Sequence, residues 1–167
     1  MNQIYIFSGP CGVGKSTLTK MLAERLEKVV LVHGDDIHSM FIGRDQPSWD
    51  DQLSIVWQNT LSITKNFLDH GLNIVLDYVV EDELEWFCTE LSGYDVELYY
   101  VVFRANEDVL VQRLQERGDA DLIDRSLFLL KQLENDPANR RYLYDTTNKS
   151  PKEILEDLRN RFHEFRL

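Results

Sequence analysis

The sequence is poor in several features that would mark a special class of protein. Its only cysteines are Cys11 and Cys88, which excludes a disulfide-dense scaffold. No apolar run approaches the roughly 20 residues of a membrane-spanning helix. Basic residues are also few, because 18 Lys and Arg stand against 29 Asp and Glu, for a net charge of −11. This balance argues against nucleic acid or an anionic membrane surface as a partner and favours a small molecule.

Signals for export and metal binding are missing as well. The first residues lack a basic start, an apolar core and a cleavage site, so we expect a cytoplasmic protein. The four histidines have no ligand-like spacing with the cysteines, which we expect to be free thiols. With no internal repeat or linker, 167 residues predict one domain over 1–167, as a monomer or a homodimer.

The strongest motif lies near the start of the chain. A short β-branched and aromatic run at 4–7 precedes it, and apolar residues at helical spacing follow it. Its glycines allow positive φ, so that successive backbone N–H groups can converge on an anion. The pattern G-x-x-x-x-G-K-[ST] is matched by Gly9-Pro10-Cys11-Gly12-Val13-Gly14-Lys15-Ser16. Together with Thr17, this segment, the phosphate loop, predicts a nucleoside triphosphate site.

Individual roles follow from the chemistry of this motif. Lys15 is expected to reach the β- and γ-phosphates, and the Ser16 hydroxyl to bind Mg²⁺. The N-terminus of the helix that begins near Gly14 adds partial positive charge. The alternative is a glycine-rich turn with an incidental lysine, which would match by chance in less than about one per cent of chains of this length.

The rest of the chain alternates between strand-like and helix-like periodicity. Strands are predicted at 3–8, 29–33, 73–78, 96–103 and 141–145, each followed by a helical segment. This is an α/β pattern with a mainly parallel sheet. Helix starts are predicted at Ser48, Asn106 and Ser150, and Gly71 and Gly118 are predicted to close the first two of these helices.

Three carboxylates follow predicted strands at the sheet edge where ligands collect. Asp35 and Asp36 come after the second strand and could accept a proton from an acceptor hydroxyl or bind a magnesium-bound water. Alternatively, one of them caps a helix that begins at Ile37. Asp77 ends the third strand, where it could support Mg²⁺ or contact substrate, or serve only as a turn residue.

Arginines flank a polar stretch that suits a mobile lid over about 117–125. Arg113 and Arg117 share one helix face, and Arg125 follows the stretch. Arginines on a lid would stabilise charge on a transferred phosphoryl group. Solvated positions on helix faces are the simpler alternative for all three.

One segment imitates a guanine-reading motif. Thr147-Asn148-Lys149-Ser150 begins like N-K-x-D, but position 151 is proline, so the carboxylate that would read guanine is missing. A turn that brackets adenine is the simpler interpretation, and ATP is preferred to GTP.

Taken together, these motifs resemble those of the P-loop small-molecule kinases, over nearly the whole chain. Members include gluconate kinase, adenylylsulfate kinase, shikimate kinase, chloramphenicol phosphotransferase and tunicamycin-resistance type proteins. The matching parts are the phosphate loop, Gly34-Asp35 followed by Ile37-His38, and Arg113 with Arg117 before a lid. The resemblance implies a three-layer P-loop fold with sheet order 2-3-1-4-5, an Asp35 that binds or deprotonates the acceptor, and an Arg117 that clamps phosphates.

The acceptor is less defined by this resemblance. Gluconate kinases carry His-Phe soon after the lid arginine, whereas Gly118-Asp119 stands here, which argues against gluconate. The family's acceptor region corresponds to 43–49, where Arg44 could pair with an anion and Trp49 could stack on a ring. The candidate substrate residues are Asp35, Asp36, His38, Arg44, Trp49 and Asp77. Core packing is the alternative for both Trp49 and Trp57.

The sequence therefore predicts an ATP- and Mg²⁺-dependent phosphotransferase that acts on a hydroxyl or phosphate of a sugar acid, nucleotide or antibiotic. The predicted catalytic residues are Lys15, Asp35, Arg117 and Arg125, and the predicted metal site is Ser16 with Asp77. Two alternatives stay open, a nucleotide-dependent switch that hydrolyses ATP slowly and a kinase that acts on nucleic-acid ends.

Overall fold

Five strands form one parallel sheet in the computed structural model, which describes residues 1–167. All strand pairs run parallel, and the order is β2-β3-β1-β4-β5. This confirms the α/β class and the order 2-3-1-4-5. The strands are β1 (Asn2–Ser8), β2 (Val29–His33), β3 (Asn73–Asp77), β4 (Val96–Arg104) and β5 (Leu143–Asp145).

Seven α-helices cover the two faces of the sheet. The N-termini of helices α3 (Trp49–Asp69) and α7 (Pro151–Arg161) carry the predicted caps. Ser48 accepts a hydrogen bond from the Asp51 N–H, and Ser150 forms a reciprocal capping box with Glu153. None of the helices is long and apolar enough to cross a membrane. The helices are α1 (Lys15–Ala23), α2 (Gly34–His38), α3 (Trp49–Asp69), α4 (Leu84–Glu90), α5 (Glu107–Arg117), α6 (Ile123–Asn135) and α7 (Pro151–Arg161).

The central strands are buried on both faces, as parallel strands between helical layers require. Ile4 and Phe7 of β1 and Val101 and Phe103 of β4 are all almost fully inaccessible. The rings of Phe7 and Phe103 stack at 5.2 Å. This packing fixes the carboxyl end of β1, from which the phosphate loop departs.

Three strand boundaries differ from the sequence prediction by a single residue, and two elements differ by more. The helix after β2 begins at Gly34 and not at Ile37, so Asp35 and Asp36 lie in its first turn and neither is its N-cap. Carboxylates are favourable in a first turn, since they complement the helix dipole. The fifth strand spans only three residues, because 3₁₀ helix 137–139 and the turn after it occupy the segment before Leu143.

Gly34 makes the closest approach between α2 and the chain that follows β3. A Cβ atom at this position would lie 2.1 Å from Cγ of Tyr78, inside the ring's van der Waals contact distance. Tyr78 is itself buried and packs on Trp57, with ring centroids 5.5 Å apart. Only glycine lets the Tyr78 ring lie against the start of α2.

We therefore expect Gly34→Ala to lower the free energy of unfolding by about 2 kcal/mol, as overpacking in a buried contact does. Urea denaturation measures the change. Gly93→Ala is the matched control, because a Cβ there would meet nothing within 4 Å. Equal stability of the two variants would contradict the assigned contact.

Candidate active site

The phosphate loop connects β1 to α1 and is built on glycines with left-handed backbone. Gly12 and Gly14 have φ of 81° and 100°, and Gly9 has φ of 140°. A Cβ on Gly9 would lie 2.6 Å from the Phe103 carbonyl oxygen, so glycine is required there for close contact with β4. α1 begins at Lys15 without a side-chain cap, and its first N–H groups therefore face the loop.

Lys15 lies across the loop to which it belongs. Its Nζ donates hydrogen bonds to the carbonyl oxygens of Gly9 at 2.6 Å and Pro10 at 3.1 Å. The loop is also secured from outside, because the buried Ser126 on α6 donates from Oγ to the Cys11 carbonyl at 2.7 Å. Cys11 and Cys88 are free thiols.

Asp77 is buried beneath the start of α1. Its Oδ2 lies 3.1 Å from Nδ1 of His33 and accepts a hydrogen bond of 3.4 Å from Oγ1 of Thr19. Thr19 Oγ1 also lies 3.2 Å from the Ser16 carbonyl oxygen, so its single proton is shared between the two acceptors. These contacts place Asp77 behind Ser16. They also link α1 to the carboxyl ends of β2 and β3.

Asp35 lies near Lys15 at the start of α2. Partial burial in the cleft raises the pKa of its carboxyl, and the neighbouring Asp77 raises it further, whereas the positive charge of Lys15 opposes both effects. Asp35 and Asp36 are both exposed, and neither carboxylate makes a hydrogen bond or ion pair. What distinguishes Asp35 is its place beside Lys15 and Asp77.

His38 connects three elements beside Asp35. Its Nε2 lies 3.1 Å from Oε1 of Gln52 on α3, and its Nδ1 lies 3.4 Å from the Tyr78 hydroxyl. Its ring packs against Trp49 with centroids 4.7 Å apart, although Trp49 remains 54% exposed. Trp57 is 2% exposed, which confirms core packing for that tryptophan.

A cavity of about 390 Å³ opens beside the phosphate loop, between α5 and the turn after β5. We call it the loop cavity. Arg113 lines this cavity, and its Nη1 donates a hydrogen bond of 3.4 Å to the Val13 carbonyl oxygen. The remaining lining residues are Gly12, Gly14, Thr17, Leu18, Glu116, Arg117, Lys149, Pro151 and Ile154.

A second cavity, of about 670 Å³, lies between α3 and the segment that follows β3. We call it the acceptor cavity. Its wall contains Trp57, which touches Tyr78, and Glu81, which pairs with Arg125. The remaining lining residues are Asp50, Leu53, Ser54, Gln58, Asp82, Glu83 and Trp86.

Arg117 and Arg125, which flank the predicted lid, lie in two different places. Arg117 is exposed, lines the loop cavity and pairs with Asp119 at 2.9 Å. Arg125 pairs with Glu81 at 2.5 Å at the acceptor cavity. The structure thus brings each arginine to a different side of the phosphate loop. Arg44 lies in the exposed 39–48 segment, lines neither cavity and makes no ion pair or hydrogen bond.

Several residues of this site were not singled out by the sequence prediction. Glu81 and Asp82 lie in 77–82, a segment expected at the ligand-binding edge of the sheet, but no motif there marks them, and Trp86 lies beyond it. Only the fold places these three residues opposite α3. Lys149 and Pro151 line the loop cavity, and the only signal for them was the turn after the fifth predicted strand.

Comparisons with known proteins agree with this architecture. A family model described as "AAA domain" matches residues 4–135. A protein of Thermococcus onnurineus (strain NA1) named "Putative adenylate kinase" is 30% identical over 166 residues, which cover 90% of this chain and 79% of that protein.

Two solved structures share the fold over almost their whole length. The tunicamycin resistance protein of Deinococcus radiodurans matches with a TM-score of 0.70 at 14% identity, covering 96% of this chain and 95% of that one. A gluconokinase from Sinorhizobium meliloti 1021 gives a TM-score of 0.67 at 18% identity, covering 97% and 91%. Identities this low establish the fold alone, and they confirm the architecture that the sequence resemblance implied.

The contact between Ser126 and the phosphate loop is open to a direct test. We expect Ser126→Ala to lower the free energy of unfolding by about 1 to 2 kcal/mol, because it removes the hydrogen bond to the Cys11 carbonyl. Hydrogen exchange should also accelerate at the loop amides. Ser92→Ala, at an exposed serine that makes no side-chain hydrogen bond, is the control. Unchanged exchange in Ser126→Ala would show that α6 does not hold the loop.

Proposed function

The chain belongs to the AAA domain family, with the fold of the P-loop kinases, and from that premise we propose that it is an ATP- and Mg²⁺-dependent small-molecule phosphotransferase. The observation that carries the proposal is the phosphate loop itself, which lines the loop cavity and is tied by Ser126 to α6. The preceding residue of α6, Arg125, reaches Glu81 in the acceptor cavity, and Asp35 lies near Lys15 of the loop. The loop cavity would hold the nucleoside, and the acceptor cavity would hold the molecule that is phosphorylated.

On the nucleotide side, the loop amides and Lys15 would hold the phosphates. Lys15 now donates to two neutral carbonyls, so it can exchange them for phosphate oxygens without breaking an ion pair. Arg113 and Pro151 would lie against the base, and proline at 151 supplies no carboxylate for guanine. This arrangement supports ATP over GTP, as the sequence suggested.

For magnesium, the residues present form a suitable but incomplete oxygen site. The Ser16 hydroxyl lies exposed at the start of α1, and Asp77 lies behind it. No group of three or more His, Cys, Asp or Glu side chains is arranged to hold a metal ion. Ser16 would bind Mg²⁺ directly and Asp77 would act through water, an oxygen donor set that Mg²⁺ prefers. When bound, the ion would neutralise charge on the phosphates.

On the acceptor side, Asp35 would take the proton of the attacking hydroxyl. Its raised pKa makes it a better base than an ordinary aspartate once it is ionised. His38 would contact the acceptor through its ring, since Gln52 and Tyr78 occupy its two nitrogens. Arg125 precedes Ser126, which contacts the loop, and its guanidinium would stabilise the transferred group after leaving Glu81.

The names of the relatives support the same reaction class without defining the acceptor. The Thermococcus protein is named for adenylate kinase activity, and one fold neighbour is a gluconokinase. Both names denote enzymes that phosphorylate small molecules. The proposal for this chain is accordingly phosphoryl transfer to a small acceptor.

The first test concerns Lys15. We expect Lys15→Ala to lower phosphoryl transfer by about 100-fold or more, because a charge that stabilises the transition state is lost. The assay follows labelled ATP with a panel of sugars, nucleosides, nucleotides and amine-bearing antibiotics, and separates phosphorylated product from free phosphate. Lys20→Ala, an exposed lysine on the same helix, is the control. Free phosphate as the only product would favour the alternative of a nucleotide-dependent switch.

The second test concerns Asp35. We expect Asp35→Asn to keep ATP affinity within about twofold while transfer falls by about 100-fold, since the general base is lost. In the wild type, activity should fall as pH decreases through the raised pKa of Asp35, so the acid limb should lie above the ordinary range of an aspartate. Asp36→Asn is the control for ATP affinity and transfer. Equal losses in both variants would remove Asp35 from the role of specific base.

A further inference from the structure

The acceptor cavity has an unusual balance of charge. Four carboxylates line it, from Asp50 on α3 and from Glu81, Asp82 and Glu83 after β3. The lining contains no lysine, arginine or histidine. One arginine approaches from outside, because Arg125 pairs with Glu81, and it compensates only one of the four charges.

The four carboxylates are not equally free to bind a ligand. Glu83 accepts hydrogen bonds from the backbone N–H groups of Glu81 and Asp82, at 2.9 and 3.0 Å, and so shapes the wall. Asp50 and Asp82 make no hydrogen bond or ion pair through their carboxylates, and both are exposed. The two carboxylates without any partner therefore lie on opposite walls, one on α3 and one on the segment after β3.

Two tryptophans give the same cavity an aromatic surface. Trp86 is 38% exposed and can offer a ring face to a bound molecule. Trp57 is 2% exposed, and its Nε1–H has no hydrogen-bond partner within the protein. Buried N–H groups are almost always paired, so this one is a candidate donor to an oxygen atom of a ligand in the cavity.

We propose that the acceptor is a cationic, hydroxyl-bearing small molecule, such as an amino sugar, whose ammonium group lies between Asp50 and Asp82. The proposal rests on the phosphotransferase function above and narrows its substrate class. The ring would lie against Trp86, and a ring oxygen or hydroxyl would accept from Trp57 Nε1. A free hydroxyl oxygen would form the new bond to the γ-phosphorus, the bond to ADP would break, and the hydroxyl proton would pass to Asp35.

An anionic acceptor fits this cavity poorly. A phosphate or carboxylate group there would meet three uncompensated carboxylates, and its desolvation would not be balanced by a cation. The only arginine of the predicted acceptor segment, Arg44, does not reach the cavity. AMP and sugar acids are therefore expected to be worse acceptors than an amine of the same size.

The test uses three sugars that share one ring and differ in charge. Glucosamine, glucose and glucuronate are titrated into the full chain in the presence of Mg²⁺ and a non-hydrolysable ATP analogue, and binding is followed by calorimetry. We expect glucosamine to bind at least about tenfold more tightly than glucuronate, with an affinity that falls as salt increases. With ATP, phosphorylated glucosamine should form fastest.

A pair of double variants separates cavity charge from net charge. We expect Asp50→Asn with Asp82→Asn to weaken glucosamine binding by about tenfold and to leave glucose binding unchanged. The control is Glu24→Gln with Glu156→Gln, which removes the same number of charges at exposed positions outside both cavities and should leave glucosamine binding unchanged.

The outcomes also distinguish this inference from the function on which it rests. Glucuronate binding as tight as glucosamine binding, no glucosamine binding, or equal effects of the two double variants would overturn the cationic acceptor. Binding of the ATP analogue is measured in the same samples. If that binding persists and depends on Lys15, the phosphotransferase proposal stands although the acceptor class is wrong, whereas its absence would count against the phosphotransferase itself.

Discussion

The site depends on one close approach, that of the phosphate loop to the inner strands of the sheet. Gly9 lies against the carbonyl of Phe103, and Phe103 stacks on Phe7 at the end of β1. Any side chain at position 9 would push the loop away from the sheet, so the direction of the loop amides follows from packing between β1 and β4. Ser126 then secures the loop from the opposite side, by its hydrogen bond to Cys11. The anion site is thus a product of the core as much as of its own sequence.

The parallel topology of the sheet places the phosphate loop in a cleft. Since β3 and β4 flank β1, the residues that follow all three strands meet at one edge of the sheet. The segment after β3 forms one wall of the acceptor cavity, while α5 and the turn after β5 form the walls of the loop cavity. Two ligands could therefore approach the loop from different sides, which suits transfer between them better than a single pocket would.

The sequence predicted the fold class and the phosphate loop, because each depends on local pattern or on a motif with strict backbone requirements, whereas the sheet order was implied by the family resemblance alone. The start of α2 was predicted three residues too late, since Gly34 is a weak helix former and only its contact with Tyr78 explains its presence there. Arg44 was a plausible acceptor contact by position, but the segment that carries it lies away from both cavities. Asp50, Glu81 and Asp82 were not predicted as site residues, because they come together only across α3 and the segment after β3.

The resting partners of Lys15 and Arg125 impose an order on the engagement of the two cations. Lys15 rests on neutral carbonyl oxygens, and a triphosphate can replace these at little electrostatic cost. Arg125 rests on a carboxylate, and it must leave that partner before it can reach a phosphoryl group. A positively charged molecule bound beside Asp82, the neighbour of Glu81, would weaken this ion pair and favour release of the guanidinium. The second cation would then become available only when the acceptor is bound, which would limit hydrolysis of the triphosphate in its absence.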